Sequence, residues 1–180
     1  MKILKYLVVG LIVLVVAIVI VGFTLPSEYS VSREVHIKAE PEAVYNNISD
    51  FKQWRHWGVW FERDPEMKVT YKGTPGHAGH SSSWESASQG NGAMTLKEIE
   101  LNKFIEYDLI FPDIEMSSTG TIKLKNTDEG TKVVWTDRGD VGSDLVGRYF
   151  VLFIDGLLGP DFEAGLAKLK QLTESDSNKS

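Results

Sequence analysis

The chain has no cysteine, so thiolate redox chemistry and thiolate metal sites are closed to it, and side-chain acid–base or metal chemistry falls to histidine and carboxylate. "HAGH" sets His77 and His80 three residues apart. It lies in a glycine-rich turn rather than on a helix face, and no third ligand stands nearby to complete a zinc set. We therefore expect no metal and no cofactor. No G-x-S-x-G, P-loop or H-E-x-x-H pattern is present, so no nucleophile and no catalytic residue is assigned.

What remains depends on strand faces. Alternation puts His80, Ser82 and Trp84 on one face, Ile105, Tyr107, Leu109 and Phe111 on another, and Val133, Trp135 and Asp137 on a third. The more apolar face of each strand should point inward. That carries a histidine, a phenol and a carboxylate into an apolar interior. Burial there would perturb His80 or Asp137 and allow acid–base work with a water; otherwise each is a satisfied polar group or a rim residue.

"FKQWRHWGVW" (51–60) adds a different chemistry. Phe51, Trp54, Trp57 and Trp60 recur every third residue. Such a spacing spreads over half the circumference of an α-helix but lines up on a 3₁₀ turn, and Gly58 disfavours a regular α-helix through all four. The expected result is a tight segment laying aromatic surface over one end of the fold. Indole suits the mouth of a pocket for a mostly apolar molecule. Simple core packing, or a place at a bilayer interface beside Arg55, His56 and Arg63, would use the same rings.

The elements that must position these groups follow from pattern. "YSVSREVHIKA" (29–39) alternates as a half-buried strand, and "EPEAVYNNI" reads as a helix with Pro41 in its first turn. A second short helical piece begins near Asp50. Six strand-like runs between Met67 and Arg138 are separated by "GTPG", "QGNG", "LN", "PD" and "NTDEG". These short connections predict an antiparallel meander. From Asp144 to about Glu174 the chain reads as helix, with Gly159-Pro160 expected to kink or divide it. "YFVLFIDGLLG" (149–159) is apolar nearly all round, so it is expected to be buried by the sheet, or to gate a cavity if one flank stays open. Asp155 within it reads as a solvent-facing charge.

"LVVGLIVLVVAIVIVGFTL" (7–25) carries no charge. As a helix it would reach roughly 28 Å, close to a bilayer's hydrocarbon core. It is longer than a signal-peptide core and no A-x-A-like site follows, which favours an uncleaved anchor. Lys2 and Lys5 favour a cytoplasmic N-terminus, a single pass through the cell (inner) membrane, and an extracytoplasmic domain. The net charge is −6; all 25 acidic residues follow the run while two of the 19 basic ones precede it, so the rest carries −8. With no basic stripe, nucleic acid is excluded as a partner. The expected organisation is an anchor over 1–26, one domain over 27–174 and a frayed tail over 175–180.

One long helix and seven antiparallel strands must curl together to bury both apolar faces. That order, with "IKAEPEAVYNNISD", "WRHWGVWFERDP", "WESASQGNGAMTLKEIELNKFIEYDLIF", "GTKVVWTDRGD" and "GPDFEAGLAKLK", resembles the helix-grip superfamily called SRPBCC or START-like. The likeness is greatest to membrane-anchored bacterial members described as polyketide cyclase/dehydrase-like. Pro160 departs from the pattern, where an ordinary helical residue would stand. The resemblance implies an α+β helix-grip fold with a cavity for a small hydrophobic or amphipathic molecule. Trp54, Trp57 and Trp60 would border its mouth, and His80, Trp84, Tyr107, Trp135, Asp137 and Phe153 would line it. It implies an enzyme only weakly; a cyclase, dehydratase or hydrolase using Asp137 or His80 and a co-chaperone-like interaction module are the alternatives.

Overall fold

A computed structural model describes residues 2–177. Helix α1 (Lys2–Thr24) leads into strand β1 (Glu28–Ile37), helix α2 (Pro41–Ser49), a 3₁₀ turn (Gln53–His56) and helix α3 (Trp60–Arg63). Strands β2 (Lys68–Lys72), β3 (Ser81–Glu85), β4 (Gly92–Glu100), β5 (Phe104–Phe111), β6 (Met116–Thr127) and β7 (Gly130–Asp140) follow. Helices α4 (Leu145–Val151) and α5 (Ile154–Ser177) close the chain. All strands pair antiparallel in the order β1-β7-β6-β5-β4-β3-β2. This is the helix-grip arrangement expected from the sequence.

The sheet curls because its inner face alternates very large and absent side chains. Tyr29 stands opposite Gly139, Trp84 opposite Gly92 and Tyr107 opposite Gly120 in the strand register. Each ring lies flat over its glycine: a Cβ there would come within 2.6, 2.3 and 2.0 Å of it. Only hydrogen in those positions lets the rings lie down and the strands close inward. A register shift between Leu96 and Glu98 adds a bulge in β4, which bends that strand further.

Helix α5 lies across the concave face. Phe162 stacks on Trp135 with centroids 4.0 Å apart and planes 3° from parallel, and Gly165 lets the helix sit against the Trp135 and Trp57 rings. Such an aromatic pair contributes about 0.5–1.5 kcal/mol beyond the area it buries. Arg33 reaches from β1 to the other flank of the helix. Its guanidinium lies against Gly159, takes Asp155 in a two-pronged ion pair at 2.9 and 3.0 Å, and donates to Glu163 at 2.6 Å.

The helix divides at Leu152 and Phe153, between α4 and α5, and not at Gly159-Pro160. Pro160 is solvent-exposed within α5, and the residue whose carbonyl it crowds is Gly156, which has open space around its Cα. The proline therefore costs a hydrogen bond but meets no side chain one turn back. Helix α5 also runs through Ser177, so 175–177 form its last turn; residues 178–180 lie outside the described residues.

Segment 149–159 does not pack wholly on the sheet. Val151 and Ile154 are buried, whereas Phe150, Leu152, Phe153 and Leu157 are exposed. Helix α4 packs on α1 instead: Tyr149 Oη donates to the Ile18 carbonyl at 2.6 Å, and Arg148 donates to the Phe23 and Leu25 carbonyls at 3.0 Å each.

Candidate ligand-binding cavity

Between α5, α3 and the inner face of β3–β7 lies a mostly apolar cavity of about 170 Å³. The register places it at one end of the sheet, where Trp84, Phe111, Met116 and Asp137 come together, near Glu28 at the start of β1. Two larger grooves, of about 940 and 1100 Å³, are open hollows lined largely by polar and charged side chains, one along Lys38, Glu40 and Asp128 and the other on the sheet's outer face. Neither offers the enclosed apolar wall that holds a small molecule.

The structure brings six of the expected site residues onto this cavity. Trp54, Trp60, Trp84, Tyr107, Trp135 and Asp137 all line it. Trp54 sits in the 3₁₀ turn, as the three-residue spacing suggested, and its indole N–H donates to the Ile48 carbonyl at 2.8 Å. Trp60 and Trp84 are half-buried at the edge, while Tyr107 and Trp135 form the interior, joined by a 2.9 Å bond from Trp135 Nε1 to Tyr107 Oη.

Three expected residues stand elsewhere. Trp57 is 1% exposed, wedged against Trp54, Trp135 and Gly165, with its N–H on the Asn47 carbonyl. It is core, not mouth. With Trp54 and Trp57 both buried, Trp60 is the one indole of the three that leaves ring surface at the edge for a partner or a bilayer.

His80 is buried but points behind the cavity wall, stacked on Phe51 at 5.2 Å. The Phe51 N–H donates to its Nε2 and its Nδ1–H donates to the Lys72 carbonyl, so both ring nitrogens are engaged in holding β2 to the aromatic turn. His77 is exposed, and among the described residues no group of three metal-binding side chains exists.

Phe153 is 65% exposed. The break between α4 and α5 turns it outward, because α4 follows α1 rather than the sheet.

Asp137 is the one carboxylate deep in the cavity wall, 2% exposed. Ser118 Oγ donates to Oδ2 at 2.9 Å and Tyr29 Oη donates to Oδ1 at 3.2 Å. Burial raises its pKa to about 6, and the two hydroxyl donors hold it below where burial alone would take it. Burial foremost, then the Asp137 charge, pushes the Tyr29 and Tyr107 phenols above their ordinary range. The result is a mostly apolar chamber with a buried polar spot able to accept a hydrogen bond, or to donate one when Asp137 is protonated; Gln89 and Asp161 add polar lining.

Several lining residues carry no sequence signal that marks them as a site. Met67, Met94 and Met116, all the methionines among the described residues, face the cavity. Leu158, Asp161 and Phe162 come from α5. Alternation along β4 and β6 puts Met94 beside Leu96, and Met116 beside Ser118, on inward faces, but a thioether has no acid–base chemistry that would single it out as a site residue. Their flexible side chains can re-pack around differing shapes. Asp161 is held across the mouth by Arg63 of α3 in a paired ion contact.

An antiparallel sheet wrapped on one helix over an apolar chamber defines a helix-grip protein. The family model described as polyketide cyclase / dehydrase and lipid transport matches residues 28–174, and the chain belongs to that family. An X-ray structure of a Mesorhizobium loti protein superposes with TM-score 0.60 at 19% identity, over 81% of this chain and 97% of its own. The di-domain ARO/CYC StfQ from the steffimycin biosynthetic pathway gives TM-score 0.63 at 12% identity, over 84% of this chain and 52% of its own. The solution structure of the Aha1 dimer from Colwellia psychrerythraea gives 0.56 at 16%, over 81% and 96%. At these identities the likeness is one of fold. No curated protein matches the sequence.

Proposed function

We propose that the chain is a single-pass, membrane-tethered domain that holds a small hydrophobic or amphipathic molecule, lipid- or polyketide-like, in the cavity beneath α5. The observation that carries this reading is the chamber itself: aromatic and thioether walls around a buried hydrogen-bonding corner at Asp137 and Ser118, with Gln89 and Asp161 as its other polar lining. Its volume of about 170 Å³ is near that of an engineered cavity of about 150 Å³ that takes benzene, and below the roughly 300–1,000 Å³ of drug-sized sites. A ring or a short chain fits as it stands. Anything larger must move the methionines or part Arg63 from Asp161.

Helix α1 supports the tether, since Ile3–Thr24 is long and apolar enough to cross a bilayer and its side chains pack on little else. Lys2 and Lys5 favour a cytoplasmic N-terminus in the cell (inner) membrane, with the domain outside.

Every buried side chain of the hydrophobic core among the described residues falls between Tyr29 and Leu169, so residues 27–180 keep that core and serve for the test. Native mass spectrometry of that fragment, purified without detergent, should show an adduct that lipid extraction identifies. Leu109→Trp, which fills the chamber from its wall, should lose it. A wild-type mass without any adduct, together with no binding of a dye such as ANS to the native state, would defeat the reading.

A second reading rests on Asp137 alone. A cavity carboxyl with pKa about 6 can pass a proton at neutral pH, as a cyclase or dehydratase would require. It would show as a pH–rate profile abolished in Asp137→Asn. His80 is the weaker candidate for that role, because it does not line the cavity and backbone groups engage both its nitrogens.

A further inference from the structure

The end of the sheet that holds the cavity is also the end where α1 arrives, and the apolar side chains left exposed gather there. Outside α1, Val146, Phe150, Leu152, Phe153 and Leu157 are exposed, by 43% to 78%, all in the stretch from α4 to the start of α5. Leu101, 72% exposed, stands apart at the β4–β5 turn, at the opposite end of the sheet. Scattered exposed apolar residues need no explanation, but a cluster on one face does.

Contacts with α1 set the depth of that cluster. The Tyr149 hydroxyl reaches the Ile18 carbonyl, and Gly22 gives room for Leu145 and Tyr149 against the helix. Ile18 stands six residues before Thr24, the end of α1, which is about 9 Å along the helix axis. If α1 spans the bilayer, α4 runs alongside a stretch of it that is already below the exit. Interfacial helices bury their apolar face to a depth of about 5–10 Å.

The charges of this segment are all turned to other tasks. Asp144 caps α4 by accepting from the Val146 N–H, Arg148 is spent on the Phe23 and Leu25 carbonyls, Asp155 pairs with Arg33, and Asp161 pairs with Arg63. Asp144 and Asp155 stay exposed while so engaged, the segment's one cation is held on the chain's own carbonyls, and the larger side chains it turns outward are apolar. The next residue after exposed Leu157 is Leu158, which lines the cavity.

We propose that α4 and the first turn of α5 form a second membrane contact, lying in the lipid–water interface beside α1 and seating the cavity end of the domain on the leaflet. This rests on the reading of α1 as a bilayer-spanning anchor. The occupant is the acyl region of a neutral leaflet, because the surface is apolar and continuous with the face of α1.

The chain's lack of cysteine makes the test direct. Full-length single-cysteine variants Phe153→Cys, Leu101→Cys and Val13→Cys, each at an exposed position, are labelled with a polarity-sensitive fluorophore. They are reconstituted in phosphatidylcholine vesicles containing lipids spin-labelled at shallow or deep acyl positions. The Val13 label should be quenched by the deep lipids and the Phe153 label by the shallow ones, while the Leu101 label keeps its emission. Val13 quenched with Phe153 as bright as Leu101 would overturn the proposal and leave the anchor standing. An unquenched Val13 label would remove the anchor and the proposal with it. A Phe153 label shielded from aqueous iodide yet untouched by the spin-labelled lipids would mean that protein covers the surface, and would also overturn it.

Discussion

Trp135 donates its indole N–H to the Tyr107 hydroxyl at 2.9 Å, and both side chains are at most 2% exposed. Two strands that are not neighbours, β7 and β5, are thereby joined across the cavity wall. The bond can form because Gly120, on the strand between them, lets the Tyr107 ring lie flat.

Tyr107→Phe keeps the ring over Gly120 and removes only the acceptor. A buried N–H left without a partner costs about 1–3 kcal/mol. Urea unfolding of residues 27–180 should show a loss of that size. A loss near zero would mean that water reaches the Trp135 nitrogen.

Gly120→Ala acts on the same pair by sterics. Its Cβ would lie 2.0 Å from the Tyr107 ring, so the ring must tilt into the chamber. Overpacking of this kind costs roughly 1–3 kcal/mol. The larger effect should be on binding, with ANS or the native adduct lost in a variant that still unfolds cooperatively.

Asp137 gives stability a pH dependence whose sign is fixed by its raised pKa. The folded carboxyl, at about 6 against 3.8 in the open chain, holds its proton more tightly than the unfolded one. Its contribution is present in full below pH 3.8 and is lost as pH rises through 6. A shift of about two units corresponds to about 3 kcal/mol. Exposed Asp140, lowered chiefly by the Gly142 N–H, and Asp155, lowered chiefly by its bond to Arg33, work in the opposite direction as acid is added. The difference between wild type and Asp137→Asn isolates the buried group: the variant should gain stability relative to wild type between pH 4 and 7. A difference that stays flat with pH would place Asp137 in contact with water.

Arg63→Ala releases α3 from Asp161 at the mouth. Arg63 is half exposed, so the ion pair contributes at most about 1 kcal/mol to stability. The expected change is kinetic, with faster entry and release of ANS in stopped-flow mixing and almost unchanged unfolding. Equal rates would put the route of entry elsewhere, at the α4–α5 end.

Much of this protein is determined by local pattern. Period-two alternation picks the inward faces of β3, β5 and β7, because a strand slipped by one residue would send Trp135 and Asp137 to water. Turn residues settle the antiparallel order, and three-residue spacing points to a 3₁₀ turn, which holds Trp54 but stops before Trp57, while Trp60 begins α3. The apolar run of α1 needs no partner to be recognised. Tertiary structure decided what depends on two distant segments meeting. Trp54 and Trp57 stand three residues apart and share one chemistry, yet Trp54 touches the cavity while Gly165, more than a hundred residues on, covers Trp57. His80 lost its candidacy to a backbone N–H at Phe51 and a carbonyl at Lys72. Phe153 was turned outward because α4 found α1 rather than the sheet. Each of these outcomes depends on which surface arrives opposite a side chain, and only the closed fold sets that.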